Sequence, residues 1–368
     1  MTQTNEQVMS LPKESAAAQP KPYVLTIGNS VSRGAMLVFG LFVVLLAFAP
    51  AFLPRSTVQD LILIFLLVCL AQCWNLLAGY AGLISVGQQA FVGLGGYGLF
   101  ALVITLGIDP FVSVLITAVI VALLSIPVGL VVFRMQGAYF AVVTWVVAEV
   151  FRLLSSQWQM LGGGTGTSLP RTPSSEVLGL DFVATMFDVR NAAAREIIIY
   201  WMALAAVVLI IAIAYRMLRS RLGLALSAIR DGEVAAESIG VDINRTKFIV
   251  YIFAAFGAGL VGALYFLQTS RISPDAAFSL LDWTAYVIFI VVIGGIGTIE
   301  GPIVGAIIFV VLRALLSGYG PWYLIVLGLL GIGVMLFAPK GIWGTFSQWT
   351  KLEFFPTRRR LVPKDDSK

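Results

Sequence analysis

Apolar residues in this chain do not alternate with polar ones. They run on for roughly 17 to 24 positions at a time, the length a helix needs to cross about 30 Å of hydrocarbon. These runs predict membrane-spanning helices at residues 35–53, 58–78, 83–106, 111–133, 138–154, 197–218, 248–268, 283–293, 303–316 and 322–337. The expected fold class is therefore all-α, a polytopic membrane helical bundle of about ten spans, or eight to ten. An outer-membrane barrel would show segments of about ten residues with alternating polarity instead. The range in the count comes from residues 82–98 and 294–305, which are rich in glycine. Broken or re-entrant helices are tolerated in a membrane where they face protein or a cavity.

Composition agrees with the pattern: 59% hydrophobic residues, 12% charged residues and a mean hydropathy of +0.94 exceed what a soluble domain keeps off its surface. The chain has no His, and its two Cys, Cys69 and Cys73, share one apolar run. They read as packing residues, and no metal site, cofactor or disulfide is expected. Residues 1–33 form a polar segment without a hydrophobic signal core, read as a flexible cytoplasmic tail. Residues 34–344 form the membrane domain and 345–368 a basic tail. Within the domain, 155–196 is a long loop on one side and 219–247 a charged loop on the other.

Orientation follows from Lys and Arg, whose excess marks the cytoplasmic side. Alternating ten spans puts Lys13, Lys21, Arg33, Arg134, Arg216, Arg219, Arg221, Arg230, Arg245, Lys247, Lys340, Lys351, Arg358, Arg359, Arg360, Lys364 and Lys368 on one side. Arg55, Arg152, Arg171, Arg190, Arg195, Arg271 and Arg313 fall on the other. The first set is expected inside, with both termini cytoplasmic and the 155–196 loop outside. The net charge of +5 is then mostly this asymmetry. The run Arg358–Arg360 suits anionic lipid headgroups, and nucleic acid is not an expected partner.

One motif misleads. Gly93-Leu94-Gly95-Gly96-Tyr97-Gly98 satisfies the dinucleotide fingerprint G-x-G-x-x-G, but a Rossmann turn must follow a strand in a soluble unit, and these glycines lie inside an apolar run. Small residues there allow close helix approach, as do the pairs Ala255/Gly259, Ala258/Gly262 and Gly301/Gly305. Ser85, Gln88 and Gln89 just before the glycines are polar groups at membrane depth, so this stretch also reads as pore-lining. Ionisable residues within spans are few. Glu149 and Arg152 stand three apart and can pair on one helix face; Arg313 sits near a span end and Glu300 in the 297–302 break. A proton- or sodium-driven transporter would need buried coupling charges, and a membrane enzyme a catalytic cluster such as His with carboxylates. The sequence offers neither.

Residues 223–240 stand apart: an amphipathic stretch with Leu224, Ile229 and Val234 apolar and Arg230, Asp231, Glu233 and Glu237 charged. It reads either as a solvated loop helix or as a docking helix that seats in a groove of a partner.

Several blocks, in order, resemble the LivM-type permease of branched-chain amino acid ABC importers. They are residues 75–88 (NLLAGYAGLISVGQ), 91–98, 134–144, 162–166 (GGGTG), 223–240, Ser273-Pro274 with Phe278, and 292–298 followed by Gly301-Pro302. The resemblance spans roughly residues 60–344. It implies a permease subunit in a bacterial inner membrane that works with a homologous second permease, two ABC ATPase subunits and a periplasmic substrate-binding protein. Arg230, Asp231, Glu233, Ala235, Ala236 and Gly240 would dock the ATPase, matching A-A-x-x-x-G, although Val234 stands where that motif has Glu. Gln88, Gln89, Gly93, Gly95 and Gly96 would line or support the translocation path. Gly162, Gly163, Gly164, Thr165 and Gly166 would face the binding protein. The implied substrates are Leu, Ile and Val, with other amino acids, urea or short amides as the alternative. ATP hydrolysis is expected on the partner subunits, not on this chain.

Overall fold

Helix ends in this chain are set by short polar side chains at the edges of the apolar runs. In the computed structural model, which describes residues 23–26, 30–170, 177–320, 322–350, 354–356 and 360–363, Asp109 accepts from the backbone N–H of Phe111 and Val112 at 2.8 and 3.2 Å. Pro110 follows at the first helical position, where its missing N–H costs nothing. Asp242 caps a later helix through Arg245 N–H at 2.9 Å, and Ser220 caps another through Leu222 N–H at 3.2 Å.

In chain order the elements are β1 (Tyr23–Thr26), α1 (Ser30–Ala47), α2 (Arg55–Asn75), α3 (Gln88–Leu106), α4 (Pro110–Val132), α5 (Ala138–Ser156), β2 (Thr167–Ser168), α6 (Leu180–Phe187) and α7 (Asn191–Arg219). Next come α8 (Arg221–Asp231), α9 (Glu233–Ser238), α10 (Ile243–Thr269), β3 (Arg271–Ile272), α11 (Pro274–Ala277), α12 (Tyr286–Gly294), α13 (Glu300–Leu316), α14 (Trp322–Phe337), α15 (Gly341–Thr350) and β4 (Arg360–Pro363).

Among the described residues, eight helical stretches are long and apolar enough to cross a membrane. The expected all-α bundle is therefore observed at the lower end of its range. α2 continues through a π-helical turn to Tyr80, so its span is Arg55–Tyr80. The expected span 283–293 is longer than the apolar run suggested: it begins at Pro274 and passes through a second π-helical turn, Leu281–Ala285, to Gly294. Two shorter apolar helical stretches accompany them: Leu37–Ala51, formed by the end of α1 and the turn after it, and α13, of 17 residues.

The glycine-rich stretches behave differently from one another. Gly93, Gly95, Gly96 and Gly98 lie inside an uninterrupted α3, and the break sits just before it, at residues 81–87. The second expected break is present at residues 295–299, between α12 and α13.

The core is made by α2, α3, α7 and α10, whose side chains form one continuous buried cluster. Cys69 and Cys73 are buried free thiols within it. Small residues set the spacing of α3 and α10: a methyl group on Gly95 would lie 2.2 Å from the Gly259 carbonyl oxygen, and one on Gly262 2.0 Å from that of Val92. α4 and α14 turn many large apolar side chains outward, among them Leu123, Leu130, Leu329 and Phe337, as lipid-facing helices do.

Polar contacts group at the two ends of the bundle. At one end Arg55 pairs with Glu196 at 2.6 Å, Arg195 donates to the Leu267 carbonyl at 2.8 Å, and β2 pairs antiparallel with β3. The pairing expected of Glu149 and Arg152 is present at 2.6 Å, and Arg152 also reaches Asp275 at 2.8 Å. At the other end lie Arg230, the Lys247–Glu233 pair and the 295–299 break. β1 pairs antiparallel with β4, Tyr23 opposite Pro363, which puts the segments flanking the bundle on one side of it. Of the expected tails, residues 1–22, Arg358 and Arg359 lie outside the described residues, as does Arg171.

Candidate translocation and docking site

The sequence blocks singled out above condense into two junctions, one toward each end of the bundle. Toward the Lys247 end, Asn75 on the last turn of α2 accepts from Gly297 N–H and donates to the Thr298 carbonyl, both at 2.8 Å. Gln72, one turn earlier, donates to the Ile299 carbonyl. These buried amides satisfy the backbone of the 295–299 break, which no helix does. Gly297 has φ +76, a conformation that disfavours side chains, and a methyl on Gly79 would meet its nitrogen at 2.7 Å. Asn75→Ala should leave those backbone groups unpaired at a cost of about 1–3 kcal/mol. The expected result is a lower Tm for the detergent-solubilised protein; an unchanged Tm would show that the clamp carries no stability.

The docking stretch joins this junction from below. It was expected as one helix over residues 223–240, but Gly232, with ψ 116 and a near-extended backbone, divides it into α8 and α9. Arg230, in the last turn of α8, lies against the break: a methyl on Gly297 would stand 3.0 Å from Arg230 Nη1. Glu233, the first residue of α9, is tied to Lys247 of α10 at 2.6 Å, and the Lys247 side chain is only 10% exposed. Ala236 is turned inward, 1% exposed, while Asp231, Ala235 and Gly240 are on the surface. The large apolar side chains that α9 and its C-terminal end present are Val234 at 84% and Ile239 at 74% exposure. Gly240, at φ +87, ends the element.

Nearer the middle, Val86 N–H bonds to Thr144 Oγ1 of α5 at 3.1 Å, Trp74 Nε1 donates to the Ser85 carbonyl at 2.8 Å, and Thr284 bonds to Gln89. Gln88 and Gln89 are both 2% exposed, and Gln88 Nε2 has no partner among the described residues. Gly93 packs under the Phe278 ring and Gly96 under Phe266, with Gly95 against α10. All three therefore sit inside the subunit, supporting the helices around Gln88 and Gln89.

At the opposite end the Gly162–Gly166 block forms a tight loop. Gly162 and Gly166 have φ +82 and +79, and a methyl on Gly166 would lie 2.0 Å from the Ile272 carbonyl oxygen. Only glycine lets this loop settle against β3 and the Ser273-Pro274 block. Gly163 is buried within it, and Gly164 and Thr165 are exposed at its surface. Beneath the β2–β3 pair lies a cavity of about 620 Å³ lined by Val103, Phe111, Leu169, Leu180, Arg195 and Arg271. Nothing in the sequence announced it, because its wall is drawn from six separate segments.

The fold and these junctions define a multi-pass helical membrane protein with a charged element presented at one end of its bundle. Residues 56–338 match the family described as branched-chain amino acid transport system / permease component. The chain belongs to that family. It is similar to the high-affinity branched-chain amino acid transport system permease protein LivM of Escherichia coli strain K12, 29% identical over 88% of this chain and 78% of that protein. The Salmonella typhimurium LivM is 28% identical over the same shares. A probable branched-chain amino acid transport permease protein LivM of Methanocaldococcus jannaschii is 27% identical over 56% of this chain and 58% of its own length. No solved structure matches.

Proposed function

We propose that the chain is the permease subunit of an ATP-driven importer that passes branched-chain amino acids across a bacterial inner membrane. The family match across residues 56–338 carries this reading. In it the Lys247 end faces the cytosol, where the excess of Lys and Arg falls, and both termini lie there; the β1–β4 pairing supports their common side. α8 and α9 receive an ABC ATPase, whose groove takes Val234 and Ile239. Two such ATPases and a homologous second permease complete the membrane complex. A periplasmic binding protein delivers substrate to the opposite end, where the Gly162–Gly166 loop stands. The bilayer covers the apolar flanks of α4 and α14.

The embedded carboxylate that could couple an ion gradient, Glu149, is held by Arg152 through both oxygens at 3.0 Å and lies on a partly exposed helix end. That geometry supports a placement role over a proton relay. The test is leucine uptake into right-side-out vesicles loaded with ATP and supplied outside with the binding protein, while ionophores collapse the ion gradients. Leucine, isoleucine and valine should accumulate in an ATP-dependent way, and urea should not. Loss of uptake with ATP still present would put an ion-coupled transporter in place of this reading, with Glu149 as its first coupling residue.

A further inference from the structure

The segment 81–87 is non-helical, yet it lies well inside the bundle. Three contacts fix its depth. The Ser85 carbonyl is bonded to Trp74, six residues before the end of the Arg55–Tyr80 span, which is about 9 Å at the helical rise. Gly87 packs on the Thr144 carbonyl, six residues into α5 and again about 9 Å from that helix end. Gln89 meets Thr284, ten residues from the end of the Pro274–Gly294 span, about 15 Å in.

Burial along the segment alternates. Ala81, Leu83, Ser85 and Gly87 point into the subunit, whereas Gly82, Ile84 (60% exposed) and, in part, Val86 look out of it. On that outward edge the N–H groups of Gly82 and Ile84 have no hydrogen-bond partner among the described residues. Just beyond, Gln88 Nε2 is buried and unpartnered. Lipid cannot cover such an edge, because each unpaired backbone group in hydrocarbon costs several kcal/mol. A dry protein contact made by apolar side chains would leave the same groups unpaired. Water meets the need, and so does a polar solute in transit.

We propose that Gly82, Ile84 and Val86 form a wall of the aqueous route through which substrate passes. Ile84 and Val86 offer apolar contact to an aliphatic side chain, while the free N–H groups offer brief donors to a carboxylate. The substrate class suited to this wall is a small zwitterion with an aliphatic side chain. The inference rests on the importer reading for the identity of what passes, but not for the presence of water.

The experiment uses the assembled complex in proteoliposomes with Cys69 and Cys73 replaced by Ala, and a single cysteine at Ile84. Leu123→Cys is the control, since Leu123 is 59% exposed on α4 about 14 Å from that helix's end, at comparable depth. Alkylthiosulfonates react with thiolate, which forms only where water reaches, so a sulfonate-bearing reagent should modify Ile84→Cys about tenfold faster than Leu123→Cys. Modification should also block leucine uptake. Equal, slow reaction at both positions would overturn the proposal, and so would full modification with uptake unchanged. If Ile84→Cys does not assemble, Val86→Cys takes its place with the same outcomes. Should the cysteine-replaced parent fail to transport leucine while Ile84→Cys reacts fast, the importer reading falls and the aqueous wall stands.

Discussion

Replacing Gly95 or Gly262 by leucine should remove the folded subunit, while the same replacement at Gly328 should be close to neutral. The reason is what the new side chain meets. At Gly95 and Gly262 the first obstacle to a Cβ is backbone carbonyl oxygen, at 2.2 and 2.0 Å, so no rotamer change relieves the clash and α3 must separate from α10. Overpacking typically costs about 1–3 kcal/mol where side chains can yield. Here two helices at the centre of the buried cluster would have to move, so the cost lies above that range. Gly328 on α14 has no atom within 4 Å of a built Cβ, and a leucine there enlarges an already apolar outer face. Size-exclusion profiles of detergent-extracted variants make the comparison. A Gly95→Leu protein recovered as a monodisperse peak at the parent level would show that the α3–α10 approach is not what holds the bundle.

The second large effect concerns partner binding. Val234→Glu with Ile239→Glu should abolish co-purification of the ATPase and reduce leucine uptake to background, with the amount of permease in the membrane unchanged. Both side chains project from a short surface helix and touch little of their own subunit. Charge there removes apolar contact in the proposed groove and buries unpaired carboxylates on docking, a cost of several kcal/mol. Ala236→Arg provides the contrast: Ala236 is buried, so this change should lower the amount of permease itself. ATPase retained at the parent level by the double variant would place the docking surface elsewhere.

Sequence pattern carried the fold where the governing interaction is local or purely apolar. Glu149 and Arg152 are three residues apart on one helix, so their pairing could be read directly; the second partner of Arg152, Asp275, is 123 residues away and could not. The length of the span ending at Gly294 was underestimated because Asp282 interrupts the apolar run, whereas the backbone continues helically through it. Glycine density bracketed one break without locating it: the break falls at the near end of the 82–98 stretch. In α3 the glycines serve helix contact, and the chain loses helicity earlier, at a stretch holding only Gly82 and Gly87. The helical character of residues 223–240 was recognisable by their charge and amphipathic pattern. Its division at Gly232, and the inward turn of Ala236, depend on how α8 and α9 lie against α10, which no local signal reports.

That division has a mechanical meaning. α8 lays Arg230 against the loop clamped by Asn75, at the foot of α2, whereas α9 is tied through Glu233 to Lys247, at the foot of α10. Between them stands a single glycine, at φ 171 and ψ 116, where the helical backbone path is interrupted. A load applied to α9 from below therefore arrives first at α10, and a load on α8 first at α2, the helix that leads into residues 81–87. The two feet can be displaced unequally, as a rocker turns on its pivot, and residues 81–87, the proposed wall of the route, lie directly above one of them.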